Sequence, residues 1–301
     1  MTFNAGPVLV SVPATSANLG PGFDALGLAL DLRDSLQGAV VSHGLVVEVS
    51  GEGADAVARD ERNLVVVAMR AAFEALGVDP PGLEVGCINA IPHGRGLGSS
   101  AAAIVGGIHL ARALVEDGRS RLSDLAAFQL AARLEGHPDN VAAAGFGGLT
   151  IAWREDDHFH VAPTQVGPGV RTAAFIPPTP LSTEVARGLL PASVPHADAA
   201  ADAGRAALLV AALATGWTGK LLAATRDWLH QDYRRSAMPE SMQLLDRLRA
   251  DGHAAVISGA GPTVLVLTDG AGVAAVPSYT PAGWSCRPLE IAADGVRLGP
   301  R

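Results

Sequence analysis

Apolar residues recur at helical spacing over residues 63–76, and Gly77 follows as a stop, so a helix is expected there. Residues 99–115 are apolar almost throughout, which predicts a second, mostly buried helix. Ser123 suits the cap of a third, over 124–134. Short apolar runs at 8–12, 46–49 and 83–88 read as strands. Residues 13–23 are rich in Gly, Pro and Asn and read as a loop. Residues 136–140 break the helical pattern, and 146–151 look like a Gly-Gly turn into a strand. Beyond them, helices are expected at about 182–190, 199–215, 218–230 and 240–251, with strands at 254–258 and 263–267. Helices and strands mix without regular βαβ alternation, which points to the α+β class.

Composition adds a division. Pro163, Gly167, Pro168, Gly169, Pro177, Pro178 and Pro180 punctuate the middle of the chain, so a boundary is expected there, giving domains 1–165 and 166–301. With 301 residues, 49% hydrophobic and 17% charged, the chain can build a sizeable core. It has no run of about 18 apolar residues, so no membrane helix is expected. Residues 1–13 have no basic stretch ahead of an apolar one, so no secretory leader is expected and the setting is read as cytoplasmic. Cys87 and Cys286 make neither a disulfide framework nor a metal spacing. A net charge of −8 argues against a nucleic-acid partner. It does not argue against a nucleotide, since a few local N–H groups and a metal ion can hold phosphate. Lys220 is the only lysine, and Leu221 follows it, so a Walker-type loop is excluded.

Four segments carry candidate chemistry. In the first, Pro92, His93, Gly94, Arg95, Gly96, Leu97, Gly98, Ser99, Ser100, Ala101 and Ala102 lie between a strand and a helix. Three alternate glycines permit sharp turns and close approach, and the helix aims its free N–H groups and positive dipole end at the loop. Ser99 and Ser100 add hydroxyls for phosphate or Mg2+. The glycine spacing is not the dinucleotide fingerprint, and Ala102 stands where a nucleophile elbow needs glycine. A phosphate cradle and a plain strand–helix turn both fit the spacing. The second segment, 13–24, offers Asn18 and Asp24 to a polar ligand, or to an Asx turn and cap. The third, 258–263, is either a plain hairpin or backbone packed on the nucleotide loop. The fourth, 135–140, sets Glu135 at a helix C-terminus, where the dipole disfavours a carboxylate. It reads as a metal ligand or as a solvated helix end.

Taken in order, segments 13–24, 92–103 and 258–264 resemble the three signature motifs of the GHMP kinases, spanning nearly the whole chain. Segments 13–24, 136–142 and 182–187 are most similar to the homoserine kinase branch. The resemblance implies an N-terminal domain with a left-handed βαβ unit and a ferredoxin-like C-terminal domain. It implies ATP against segment 92–102 and L-homoserine between the domains, surrounded by Asn18, Asp24, His137, Asp139 and Asn140. Arg187 and Arg234 would hold the carboxylate, with Arg235 adjacent to the latter, since guanidinium forks suit that group. Asp139, Asn140 and Thr183 form the implied catalytic set, and a homodimer is implied as well. For Mg2+ the resemblance implies a serine of the loop, Ser99 or its neighbour Ser100, and a glutamate. Spacing in some relatives points to Gln129, a poor ligand for a hard cation, so Glu135 is taken instead. The first motif has no lysine to assist a base, so Asp139 and Asn140 are read as positioning groups. A kinase of another small alcohol, such as mevalonate, and a non-catalytic nucleotide-binding protein are the rival readings.

Overall fold

The computed structural model describes residues 3, 4 and 6–299. Met1, Thr2 and Ala5, part of the stretch read above for a leader, lie outside the described residues. Among the described residues no helix is long and apolar enough to cross a membrane.

The first sheet holds β1 (Val8–Asn18), β2 (Gly22–Val40), β3 (Gly44–Gly51), β4 (Gly82–Asn89), β5 (Leu149–Glu155), β6 (His158–Thr164) and, from the far end of the chain, β11 (Arg297–Leu298). Its main path runs β11-β1-β2-β4-β3. Long β2 pairs with β1 along its length and also serves two further strands, β4 through 35–40 and β5 through 26–28. Among the described residues only β3 and β4 pair in parallel, and α1 (Leu64–Ala75) connects them as a βαβ unit. The Asn63 carboxamide caps α1 by accepting from Val65 N at 3.0 Å. Val65, Val66, Met69, Ala72 and Phe73 make its buried stripe against α2 (Ser99–Leu114). Then come α3 (Gly118–Arg121), α4 (Asp124–Glu135), capped by Ser123 as its sequence suggests, and α5 (Asp139–Phe146).

The second sheet holds β7 (Arg171–Ile176), β8 (Ala254–Ile257), β9 (Val264–Thr268) and β10 (Ser285–Leu289), all antiparallel, in the order β10-β7-β9-β8. Between β7 and β8 lie α6 (Thr183–Gly188), α7 (His196–Thr215), α8 (Leu221–Ala224) and α9 (Pro239–Ala250), and α10 (Gly270–Ala275) precedes β10. This is the βαββαβ order of a ferredoxin-like unit. β7, β8 and β9 are largely apolar on both faces because both are covered, whereas edge strand β10 leaves Ser285 and Pro288 exposed. Ala174 and Ile176 face the core shared with the first sheet, whereas Ala173 and Phe175 face Met242, Leu245 and Leu248 of α9.

After β10 the chain crosses back to the first sheet. Asp31 N donates to Glu290 O at 2.8 Å, and Ala292 N to Ala29 O at 3.0 Å. The Arg33 guanidinium clasps Asp294 O at 2.6 Å and Gly295 O at 3.1 Å. Leu298 then pairs with Val10. The two sheets are therefore linked by two chain crossings, one between β6 and β7 and one after β10.

Two elements depart from the sequence reading. Residues 13–23 are not a loop: β1 continues to Asn18 and β2 begins at Gly22. Ala14, Thr15, Ser16 and Ala17 are buried at 0–1% exposure, so a crowded strand demands the small and polar residues that elsewhere mark loops. The helix expected at 218–230 ends at Ala224. The Asp227 carboxylate instead accepts from the backbone N–H groups of Leu229, His230 and Gln231, offering them an alternative to helix.

Candidate active site

Three glycine-containing segments meet at one point. Thr15 N donates to Leu97 O at 3.0 Å, Gly259 N to Ala17 O at 3.0 Å, and Thr263 N to Arg95 O at 3.3 Å. Ser258 Oγ donates to Gly96 O at 2.6 Å and lies 2.8 Å from Ser16 Oγ. Segment 258–263 thus packs on the loop rather than forming a plain hairpin. Arg95 binds the carbonyls of His93 (2.8 Å), Pro177 (2.9 Å) and Pro178, tying the loop to the junction between the sheets.

Glycine at 98 has a specific cause. It caps α2 with φ +69, and a Cβ there would stand 1.9 Å from Thr15 Oγ1. The turn leaves the N–H groups of Ser99, Ser100 and Ala101 without acceptors among the described residues, at the positive end of a buried helix. Pro92, Leu97, Ala101 and Ala102 are buried, so only their backbone can serve a ligand.

A cavity of about 260 Å³ opens before this turn. Its lining includes Asn18, Gly94, Gly96, Gly98, Ser99, Ser100, Glu135, His137, Asp139, Asn140, Thr183, Arg187 and Arg234. A second cavity, about 250 Å³, lies on the other side of Ser99 and Ser100. It is walled by Leu36, Val49, Val57, Val65 and Ala103, with Asp34, Asn89 and His93 as polar members. The α2 N-terminus therefore separates a polar chamber from a more apolar one.

In the polar chamber charges are paired in alternation. Arg187 meets Asp24 in a fork, Nη2 to Oδ1 at 2.8 Å and Nη1 to Oδ2 at 3.2 Å. The Asp24 hydrogen bond outweighs burial and raises the Arg187 pKa. Arg234 is only 1% exposed and donates to Ala186 O (3.1 Å), His230 Nδ1 (3.1 Å) and Gly259 O (3.4 Å). Burial, with the charge of Arg187, lowers its pKa. Its neighbour Arg235 pairs with Asp232 and Asp246 at the surface, so Arg234 is the arginine of this cavity. Asp139 Oδ1 accepts from Asn140 N at 2.8 Å and meets His137 Nδ1 at 2.8 Å. Burial lowers the His137 pKa, but the hydrogen bond and charge of Asp139, with Glu135 beyond it, raise it more. Thr15 Oγ1 donates to Asn140 Oδ1 at 2.8 Å. The Asn18 carboxamide is engaged with backbone, donating to Gly259 O (2.8 Å) and accepting from Asp24 N (2.9 Å).

Glu135 and Gln129 have different surroundings. Gln129 accepts from Phe159 N at 3.1 Å and donates to Phe159 O, which spends it on β6. Glu135 points into the cavity and accepts from Ser100 Oγ at 2.5 Å. Burial raises its pKa against the opposing Ser100 hydrogen bond. Among the described residues no cluster of three or more acids, His or Cys could hold a metal unaided. Lys220 lies outside the cavity, over the Trp217 ring at 5.1 Å.

Sequence reasoning passed over His230 and Asp227. Both side chains are buried beneath the arginine end of the cavity, and the signal available was a His at the end of the helix expected over 218–230, four residues before an Arg. It also passed over Asp34, whose carboxylate accepts from Ala90 N (2.7 Å) and Ile91 N (2.9 Å) beneath the loop.

Known proteins agree with this architecture. Residues 63–148 match the model of the GHMP kinases N terminal domain, and residues 208–279 that of the GHMP kinases C terminal. The homoserine kinase of Streptomyces avermitilis is 53% identical over 298 residues, covering 99% of this chain and 97% of that one. That of Streptomyces coelicolor is 51% identical over 298 residues, covering 99% and 96%. The crystal structure of homoserine kinase from Cytophaga hutchinsonii superposes with a TM-score of 0.87 over 99% of both chains. Its 24% identity bears on the fold alone.

Proposed function

Because this chain belongs to the homoserine kinases, a branch of the GHMP kinase family, we propose that its polar cavity is where the L-homoserine hydroxyl meets the terminal phosphate of ATP. The protein is a phosphotransferase with an alcohol group as acceptor: ATP and L-homoserine give ADP and O-phospho-L-homoserine, a step of threonine biosynthesis. The observation that carries the site reading is a juxtaposition. The N-terminus of a buried helix, with unpaired N–H groups, faces Arg187 and Arg234 across one cavity about the size of a small amino acid and a phosphate, and Asp24 is forked to Arg187.

In this reading the phosphates lie over residues 94–101, and the base occupies the more apolar chamber beyond Ser99. Gly98 and the first turn of α2 stabilise negative charge on the transferring group with fixed dipoles. Arg187 and Arg234 take the α-carboxylate, and Asp24 takes the ammonium. Asp139, Asn140 and His137 orient the hydroxyl, and Thr183 supports the transferring phosphate. Oδ1 of Asp139 is committed to N–H donors, and no lysine stands by it. Alignment and charge stabilisation therefore do the work, which a loose phosphoryl-transfer transition state permits.

The residues also fit a divalent cation. A buried carboxylate 2.5 Å from a serine hydroxyl, beside a phosphate cradle, is a two-ligand oxygen site of the kind Mg2+ completes with phosphate and water. Glu135 and Ser100, with Ser99 adjacent, would hold it. When bound, Mg2+ neutralises charge building on the phosphate oxygens.

ADP release measured across hydroxy amino acids and alcohols tests the assignment. Turnover is expected with L-homoserine and little with mevalonate, which has no ammonium for Asp24. Equal turnover of both would overturn the homoserine pose.

A further inference from the structure

Beneath Arg234 lies a buried polar stack that no part of the phosphoryl-transfer chemistry uses directly. His230 is 0% exposed and packed against the first motif at Gly20 and Phe23. Its Nε2 lies 2.8 Å from Gly20 O, and its Nδ1 lies 3.1 Å from Arg234 Nη1. A carbonyl can only accept and a guanidinium can only donate, so these partners dictate one state: neutral imidazole with the proton on Nε2. Burial, with the Arg234 charge, lowers the His230 pKa against the opposing Asp227 carboxylate 3.7 Å from Nε2, in agreement with that state. The Phe23 ring stacks on the imidazole at 5.2 Å and 28°, and the Arg234 guanidinium sits 5.5 Å from the same ring. Asp227 fixes the backbone below by accepting from Leu229, His230 and Gln231, and Gln231 Oε1 accepts from Ile257 N at 2.7 Å.

The consequence falls on Arg234. Its Nε is held by Ala186 O and its Nη1 by His230 and Gly259. Nη2 alone has no protein partner among the described residues, and the residue lines the polar cavity. A free arginine would spread five donors over many rotamers. Here all but one edge is pinned.

We infer that His230 is a positioning residue for substrate selection: as a hydrogen-bond acceptor at Nδ1 it orients Arg234 so that a single guanidinium edge meets the substrate carboxylate. This rests on the substrate pose above. It assigns a role to a side chain that touches neither homoserine nor ATP. An imidazole suits the place because it accepts on one side and donates on the other, on a rigid ring whose face Phe23 covers.

Two amides separate the halves of that role. The Oδ1 of His230→Asn falls near the Nδ1 position and keeps the acceptor for Arg234 while losing the Gly20 bond. The side-chain end of His230→Gln falls near Nε2 and keeps the Gly20 bond while losing the acceptor. Kinetics on both, with Arg234→Ala and the Arg234→Ala/His230→Gln double variant, test the idea. His230→Gln should raise the homoserine KM about tenfold or more, as loss of a hydrogen bond to a charged group does, and leave the ATP KM unchanged. His230→Asn should stay within about threefold of the parent, well short of that charged-bond loss. In the Arg234→Ala background His230→Gln should add nothing, since the two act as one unit. Equal impairment by Asn and Gln, a parallel rise in the ATP KM, or additivity with Arg234→Ala would each overturn the role. If His230→Gln does not fold, His230→Asn decides alone: near-parental KM supports the role and a tenfold rise removes it. An unchanged homoserine KM in Arg234→Ala would instead remove the substrate pose. A raised one with His230→Gln silent removes only the inference.

Discussion

Arg187→Ala tests the carboxylate clamp, because the fold and the substrate should respond very differently. In the free protein the Arg187–Asp24 pair keeps 37% and 39% of its side-chain surface. Solvent screens an ion pair of that exposure, and its contribution is about 0–1 kcal/mol. Arg187→Ala should therefore melt within a few degrees of the parent. With homoserine bound, the guanidinium exchanges Asp24 for a carboxylate in a closing cavity. A charge-assisted contact there is worth roughly 2–4 kcal/mol. At about 1.4 kcal/mol per decade, that is a rise of about 30- to 1000-fold in the homoserine KM. Binding of this kind is shared by ground and transition states, so kcat should fall less than KM rises. Arg187→Lys keeps the charge without the fork and should fall between parent and Ala. The assay is coupled ADP release with homoserine titrated at saturating ATP, and then the converse. A variant that keeps homoserine and loses ATP would put Arg187 on the phosphate side and refute the pose. So would a collapse in Tm, which would make the residue structural.

Three further outcomes are expected. Gly98→Ala should weaken nucleotide binding by about 2 kcal/mol or more, because its Cβ meets Thr15 Oγ1 and its φ is positive; adding Thr15→Ala should recover part of the loss, and unchanged affinity in Gly98→Ala would make the cradle reading wrong. Glu135→Gln should lower kcat and raise the Mg2+ needed for half-maximal rate while sparing the homoserine KM, and an unmoved Mg2+ titration would retire it as a ligand. Burial raises Asp34 from 3.8 to about 6, so its contribution to stability is full below about pH 4 and lost as pH rises through about 6; Asp34→Asn keeps both backbone acceptor contacts and should gain on the parent over that window by at most roughly 3 kcal/mol, read from denaturant unfolding, whereas a pH-independent difference would contradict the shift.

Local chemistry was legible in the sequence wherever a residue's reason is local. The glycine spacing before Ser99, the Ser123 cap and the apolar stripe of α1 all follow from neighbours a few positions away. Tertiary reasons were not legible. Ala14 to Ala17 resemble a loop until the strand beside them is seen to need small side chains. Arg234 and Arg235 are interchangeable in sequence; one lies beneath Ser182–Arg187 and the other meets Asp232 and Asp246 in solvent. Gln129 and Glu135 differ the same way: a sheet edge claims the first, whereas the second is turned towards Ser100 by the end of its helix. His230 left little trace because its partners are a carbonyl 210 positions away and a guanidinium on a turn beyond the expected helix.

The return of the chain after β10 has a mechanical consequence. The two sheets enclose the cavity between them, and a single connection would let one swing away from the other in any direction. A second connection, fastened by Arg33 on Asp294 and Gly295 and by Leu298 on Val10, removes most of those freedoms. Two connections and a shared core then hold the sheets together around the cavity. Cutting the chain between β6 and β7 would leave the halves clasped, whereas removing the last strand would loosen the junction without touching a residue of the site.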